Sequence, residues 1–186
     1  MFYSVKEASR PGGLGWYRDG DNIAYYQNSM KKKGGGNYFT LTFEFTNRNH
    51  DDDDIYVAHC YPYTYSDCCE LLQRLCTVET KDKIRKTILT KTLAGNDCEM
   101  VIITNFLSRP EEIAIRRAVI LTSRVHPGES NASFMMQGTL EYLVSEDEGA
   151  RYLRDNFVFK IIPMLNPDGV ICGNYRCSLS ALDLNR

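Results

Sequence analysis

The sequence predicts an α/β protein with two domains, a β-rich domain over residues 1–78 and an α/β domain over residues 79–186. Short aromatic and β-branched runs between turn residues predict an antiparallel, β-sandwich-like first domain. Two apolar runs separated by a helical segment predict a βαβ unit, and therefore a partly parallel sheet, in the second domain. The composition turns charged around residues 77–84, which is where we place the boundary.

In the first domain the clearest strand is Tyr38 to Phe45, where apolar and polar residues alternate as they do in a strand with one solvated face. Ile23 to Tyr26 and Ile55 to Tyr61 predict further strands, separated by turn-forming clusters such as KKKGGGN and NRNHDDDD. The aspartates Asp51 to Asp54 lack the spaced ligands of a calcium loop, so we interpret them as an exposed loop. A short amphipathic helix over Asp67 to Leu75 completes this domain.

The second domain combines predicted strands with one long helix. In chain order, the predictions are paired strands at Ile84 to Thr92 and Met100 to Phe106, a charged connection at Ser108 to Arg117, a buried strand at Ala118 to Leu121, a helix over about 131–145 and a buried strand at Phe157 to Met164. In such sheets, ligands bind at the carboxyl ends of the parallel strands. The loops that follow the two buried strands are therefore the first places to search for a site.

Composition and charge exclude several classes of protein. The net charge of −2 gives no general basic field that would favour nucleic acid, and no apolar run has the length of a membrane span. The seven cysteines form no C-x-x-C pair, and the first residues lack the apolar core of a secretory signal. We therefore expect an intracellular protein with reduced thiols and neither a nucleic acid nor a membrane as its partner.

Two polar loops follow the predicted buried strands. His126 and Glu129 lie in the first loop, where an imidazole and a carboxylate can reach one metal ion, and zinc takes such N and O ligands. For this spacing alone, a loop His and Glu that merely hydrogen-bond each other is the commoner arrangement. Asn166-Pro167-Asp168-Gly169 follows the second strand, and we interpret it as a structural turn. The other histidines, His50 and His59, lie outside any metal-ligand spacing.

Several motifs, in order along the chain, resemble the cytosolic carboxypeptidases. They are YPYTYSD at 61–67, TLAGNDC at 92–98, HPGESN at 126–131, IIPMLNPDGV at 161–170 and GNYRCSLSALDLNR at 173–186. Members of that family are zinc metallocarboxypeptidases that remove glutamates from tubulin and other acidic tails. The resemblance covers nearly the whole chain and implies that the second domain is the first half of a mixed-sheet α/β zinc carboxypeptidase domain.

The resemblance also implies roles for particular residues. His126 and Glu129 match two zinc ligands, and Arg176 matches the arginine that stabilises the oxyanion during catalysis. Asn185 and Arg186 match the pair that binds the free C-terminal carboxylate of the substrate. These roles agree with the chemistry of the side chains, because a planar guanidinium offers two parallel donors to a carboxylate and an Asn amide adds a neutral one.

The chain departs from the family pattern in two respects. The third zinc ligand and the general-base glutamate of the family lie downstream of its Asp-Leu-Asn-Arg motif, with which this sequence ends. We therefore expect a fragment whose zinc site is incomplete and which is inactive, or nearly so, alone. At Ala181 the family usually has glycine, so we expect a strained positive φ there, which affects the placement of Asn185 and Arg186.

The predicted function is zinc-dependent hydrolysis of C-terminal residues, with glutamates of polyglutamylated, tubulin-like acidic tails as substrates and partners. The resemblance implies a cytoplasmic location, with microtubules and the nucleus as further places of action. The alternative is a non-catalytic binding protein that recognises acidic tails or a protein partner. This alternative follows from the expected lack of the third zinc ligand and of the general-base glutamate. The β-rich domain and a tyrosine-rich segment at 61–67 also favour it.

Overall fold

The computed structural model describes residues 1–47 and 52–186, so the predictions for His50 and Asp51 lie outside the described residues. The chain divides into two compact units, Met1–Tyr61 and Pro62–Arg186. This division differs from the predicted boundary after residue 78. The cause is helix α2 (Tyr65–Leu75), whose buried leucines belong to the hydrophobic core of the second unit.

The first unit is built from two antiparallel pairs of strands. Strand β1 (Phe2–Ser4) pairs with β4 (Ile55–Val57), and β2 (Asp21–Lys31) pairs with β3 (Asn37–Glu44); helix α1 (Val5–Ala8) follows β1. The buried ring of Phe2 connects the pairs, because it stacks on Phe45 at 4.2 Å and meets Phe43 edge-on at 5.8 Å. The predicted antiparallel arrangement of this part is confirmed.

The second unit contains a four-stranded mixed sheet. Besides α2, its elements are β5 (Ile84–Lys91), β6 (Asp97–Ile103), α3 (Pro110–Ala114), β7 (Arg117–Thr122), α4 (Ser130–Val144), α5 (Glu148–Asn156), β8 (Phe157–Ile162) and α6 (Pro167–Ile171). The strand order is β5-β6-β8-β7, in which β7 and β8 are parallel and the other neighbours are antiparallel. The predicted βαβ unit, β7-α4-β8, is therefore confirmed.

The core of the second unit lies between this sheet and the helices α2 and α4. Its fully buried side chains come from α2, β5, β6, α4 and β8: Leu72, Ile84, Val101, Ile103, Leu140 and Ile161. Strand β7, predicted to be buried, is instead the edge strand of the described sheet, and its Ile120 is 67% exposed. Alternate residues of a strand face opposite sides, so only part of an apolar run meets the helices.

Two short helices differ from the predictions. The predicted charged connection contains α3, where Pro110 occupies the first turn and the side chains of Arg109 and Glu112 bond each other. Helix α5 lies between the predicted helix over about 131–145 and the predicted strand at Phe157 to Met164, and the Asp147 carboxylate accepts the backbone N–H groups of Gly149 and Ala150 at its start. Within residues 1–47 and 52–186, no helix combines the length and apolarity needed to cross a bilayer.

Candidate active site

The candidate site lies beyond the carboxyl ends of the parallel strands β7 and β8. Their pairing continues into the loops, because the Ser123 N–H donates to the Ile162 carbonyl at 3.1 Å and the Leu165 N–H donates to the Ser123 carbonyl at 2.9 Å. The amide of Asn166 then donates to the Val125 carbonyl at 3.2 Å. These bonds fix the loop that carries His126 against the loop that begins α6.

The two predicted metal ligands are in contact. His126 is buried, whereas the side chain of Glu129, which precedes α4, is 47% exposed. His126 Nδ1 lies 3.1 Å from Glu129 Oε1, and the Glu129 N–H donates to the His126 carbonyl at 3.2 Å. A backbone turn and a side-chain contact therefore bring both donor atoms to one side of the loop.

Asp183 joins this pair to the last part of the chain. Its Oδ1 lies 3.1 Å from His126 Nε2, and its Oδ2 accepts a hydrogen bond from Arg176 Nε at 2.6 Å. The backbone N–H of Asn185 also donates to Asp183 Oδ1, at 2.9 Å. That N–H, together with the contacts to Arg176 and His126, lowers the pKa of Asp183 to about 2, although partial burial acts in the opposite direction.

Asp183 is not among the site residues predicted from the sequence. The structure places His126 and Arg176 at this one carboxylate, and Glu129 lies at the other ring nitrogen of His126. The Arg186 guanidinium instead donates from Nη1 to the Asn185 carbonyl at 2.9 Å. The substrate-binding roles of Asn185 and Arg186 therefore stay predictions. A local signal for Asp183 did exist, because it is an acidic residue two positions before Asn185 in the Asp-Leu-Asn-Arg motif.

Backbone contacts connect the segment 173–186 to the His126 loop. The Gly128 N–H donates to the Tyr175 carbonyl at 2.8 Å, and the Tyr175 ring packs so closely that a Cβ on Gly128 would lie 2.3 Å from its Cδ2. Farther along, Ala181 has a φ of 62°, as expected from the sequence, and its N–H donates to the Ser178 carbonyl at 3.0 Å. This strained turn shortly precedes Asp183.

The donor atoms of His126 and Glu129 fit zinc. Two ligands at about 2.0–2.2 Å from one tetrahedral zinc ion lie about 3.3–3.6 Å apart, close to the 3.1 Å between Nδ1 and Oε1. Histidines that bind metals donate their other ring N–H to a carboxylate or carbonyl, and Asp183 is placed to accept from Nε2. Among the described residues, no group of three or more His, Cys, Asp or Glu side chains is arranged to hold a metal ion.

Comparisons with known proteins show the family of this chain. The zinc carboxypeptidase family model matches residues 71–186, and the chain belongs to that family. Over 187 residues it is 48% identical to Cytosolic carboxypeptidase 3 of Mus musculus, an alignment that covers 100% of this chain and 18% of that protein. Over 202 residues it is 46% identical to Cytosolic carboxypeptidase 1 of Homo sapiens, covering 100% of this chain and 16% of that protein.

The resemblance of the motifs to the cytosolic carboxypeptidases is thus confirmed, and the chain spans less than a fifth of the length of these two relatives. The fold agrees as well. A metallo-carboxypeptidase from Burkholderia cenocepacia superposes with a TM-score of 0.67 at 28% identity, over 78% of this chain and 37% of that structure.

Proposed function

We propose that this chain provides part of the active site of a zinc metallocarboxypeptidase that hydrolyses the C-terminal residues of peptides. The observation that carries the proposal is the cluster around His126. Its Nδ1 faces Glu129 at 3.1 Å, and its Nε2 faces Asp183, which also binds Arg176. Family membership supports the choice of zinc, and His126 and Glu129 are the two residues that would hold it.

Each residue of the cluster has a distinct task in the proposed reaction. Zinc, when bound, polarises the scissile carbonyl and lowers the pKa of a water molecule. Asp183 holds the imidazole of His126 by Nε2 and fixes the guanidinium of Arg176 by its Nε. The Nη groups of Arg176, whose side chain is 41% exposed, can then donate to the oxygen that becomes negative in the transition state.

The proposed substrate is a free C-terminal glutamate on an acidic, tubulin-like tail. Arg186 can offer a pair of donors to the terminal carboxylate and Asn185 can add its amide, which selects a chain end over an internal peptide bond. The preference for glutamate rests on the resemblance to the cytosolic carboxypeptidases. We likewise propose action in the cytoplasm, with microtubules and the nucleus as further locations.

Zinc binding tests the metal site directly. We expect the purified 186-residue chain to bind one zinc ion weakly, since the described residues offer two ligands, and His126→Ala to abolish that binding. His59→Ala is the matched control, because it removes an exposed histidine of the first unit and leaves the site intact. Equal zinc binding by the chain and by His126→Ala would refute the proposed site.

Peptide hydrolysis tests the activity itself. We expect the chain alone to release glutamate from a glutamate-tailed peptide slowly or not at all, because the described residues offer no third ligand of the family type. The same peptide with an amidated C-terminus controls for recognition of the free carboxylate. Rapid, chelator-resistant release of glutamate would contradict both the zinc dependence and the expected inactivity of the chain.

A non-catalytic binding function is the second candidate, because no described group of three or more His, Cys, Asp or Glu side chains can hold a metal ion. In this case the chain would bind an acidic tail through the exposed guanidinium of Arg186. Retention of the chain on an immobilised glutamate-tailed peptide, with loss of retention in Arg186→Ala, would support it. No retention, or retention that does not change in the variant, would contradict it.

A further inference from the structure

Arg124 has an unusual position two residues before His126. It is 6% exposed, and its φ of 57° lies in the left-handed region that side chains other than glycine rarely adopt. Burying a guanidinium costs free energy unless its donors are satisfied, and a positive φ adds to that cost. Both costs fall on the loop that carries the two candidate metal ligands, which suggests that this side chain has a specific task.

The contacts of Arg124 define that task. Its Nε donates to the Pro127 carbonyl at 2.8 Å, and its Nη1 donates to the Ser133 hydroxyl at 2.8 Å; both contacts are buried. Pro127 lies between His126 and Glu129, and Ser133 lies in the first turn of α4. One rigid guanidinium therefore connects the middle of the turn to the helix that follows it.

The guanidinium points inward and away from solvent. Burial raises the pKa of the Cys68 thiol to about 12, and the charge of Arg124 is among the influences that oppose this rise. The same charge opposes the rise in pKa that burial causes at Tyr63. Because the side chain is buried and its Nε and Nη1 donate to the Pro127 carbonyl and the Ser133 hydroxyl, Arg124 acts on the turn.

We propose that Arg124 is a positioning residue that holds the His126–Glu129 turn in the geometry needed to bind a metal ion. The inference rests on the proposed function, since it assigns the turn to zinc. Arg124 holds the Pro127 carbonyl, and Pro127 lies in the turn that sets the 3.1 Å distance between His126 Nδ1 and Glu129 Oε1. The turn then needs little reorganisation when the metal binds.

The decisive variant is Arg124→Lys, which keeps the charge but cannot bond the Pro127 carbonyl and the Ser133 hydroxyl with one planar group. Arg154→Lys is a matched control. Arg154 is 4% exposed in the same unit, and its Nη1 donates to the Leu143 and Ser145 carbonyls at the end of α4, not to the turn. A purely structural role for buried arginines predicts equivalent effects of the two substitutions.

Amide hydrogen exchange measures the turn without metal. In Arg124→Lys we expect the Gly128 and Glu129 amides to exchange about tenfold faster or more, as the loss of a buried hydrogen bond to a charged group allows. The Phe159 and Ile161 amides of β8 should keep their rates in that variant. In Arg154→Lys the Gly128 and Glu129 amides should be unchanged.

Zinc affinity provides the second measurement. It should fall about 10–100-fold in Arg124→Lys, as for residues that orient metal ligands, and stay within about twofold in Arg154→Lys. If Arg124→Lys does not fold, Arg124→Gly replaces it, because glycine adopts a positive φ without strain and still lacks the two donors. Arg124→Gly should then show the same faster exchange of the Gly128 and Glu129 amides and the same loss of zinc affinity.

The outcomes distinguish failure of this inference from failure of the proposed function. Unchanged Gly128 and Glu129 exchange in the Arg124 variant, or equal loss of zinc affinity in both lysine variants, overturns the positioning role. If the unsubstituted chain binds no zinc at all, the metal role is overturned through the proposed function. In that case, faster exchange of the Gly128 and Glu129 amides in the Arg124 variant would still show that Arg124 holds the turn.

Discussion

The close contact between Gly128 and Tyr175, beside the candidate site, predicts that a side chain at position 128 lowers the free energy of unfolding. In Gly128→Ala, the added Cβ lies 2.8 Å from the Tyr175 carbonyl oxygen and 2.3 Å from Cδ2 of the ring. The exposed ring can turn aside, but the carbonyl belongs to the backbone. An ordinary contact is about 3.5 Å or more, so the carbonyl has to move by about 0.7 Å.

That movement has two costs. It lengthens the Gly128–Tyr175 hydrogen bond from 2.8 Å to a distance at which it is lost, worth about 0.5–1.5 kcal/mol. Overpacking of the loop adds about 1–3 kcal/mol. We therefore expect Gly128→Ala to lower the free energy of unfolding of the second unit by about 1.5–4.5 kcal/mol.

Urea unfolding followed by far-ultraviolet circular dichroism is a suitable assay, because the helices of the described residues lie in the second unit, apart from the four-residue α1. Gly138→Ala is the matched control. Gly138 is inside α4, a Cβ added there would meet nothing within 4 Å, and alanine favours the helix by about 1 kcal/mol. The two substitutions should thus change the free energy of unfolding in opposite directions. A stabilising or neutral Gly128→Ala would refute the inference that Tyr175 is held against the loop.

Three further predictions concern the neighbouring residues. Asp183→Asn should weaken zinc binding about 10–100-fold, measured by zinc titration, because an amide supports His126 and Arg176 less well than a carboxylate; unchanged affinity would contradict this. Ala181→Gly should raise the free energy of unfolding by up to about 1 kcal/mol in urea, because it relieves the φ of 62°; destabilisation would contradict it. Burial of Asp168 opposes a low pKa, but hydrogen bonds from Asn96, Thr92 and the Ala94 N–H lower it on balance. This contribution to stability is fully present above the unfolded pKa of about 4 and is lost as pH falls through the lower folded pKa. In Asp168→Asn, the free energy of unfolding should therefore depend less on pH below about pH 4.

The elements that the sequence predicts well are those with a local pattern of sufficient length. The apolar run Phe157 to Met164 is long enough for a strand, and the segment around Leu140 is long enough for a helix; they appear as β8 and α4. The short helix α3 was missed because its stability comes from Pro110 in the first turn and from the Arg109–Glu112 contact, not from an apolar stripe.

The parts of the site that escaped prediction depend on contacts between distant residues. His126 and Asp183 are 57 positions apart, so the Asp-Leu-Asn-Arg motif singles out Asp183 as an acidic residue but does not show that its carboxylate meets this imidazole. Arg124 was overlooked for a different reason. Its sequence neighbours give no sign that its side chain turns inward, since arginine is rarely buried and a positive φ is rare for it.

The contacts of His126 bear on the alternative that the sequence left open, a simple hydrogen bond between His126 and Glu129. The imidazole lies between two carboxylates, with Nδ1 towards Glu129 and Nε2 towards Asp183. A neutral imidazole has one N–H and can donate to only one of them, so its other nitrogen would direct a lone pair at a carboxylate. A simple hydrogen-bonding role therefore accounts for only one of the two contacts of a neutral ring. Metal binding requires only that Nε2 donates to Asp183 while Nδ1 and Glu129 share a cation, which is the arrangement that histidine ligands of zinc have.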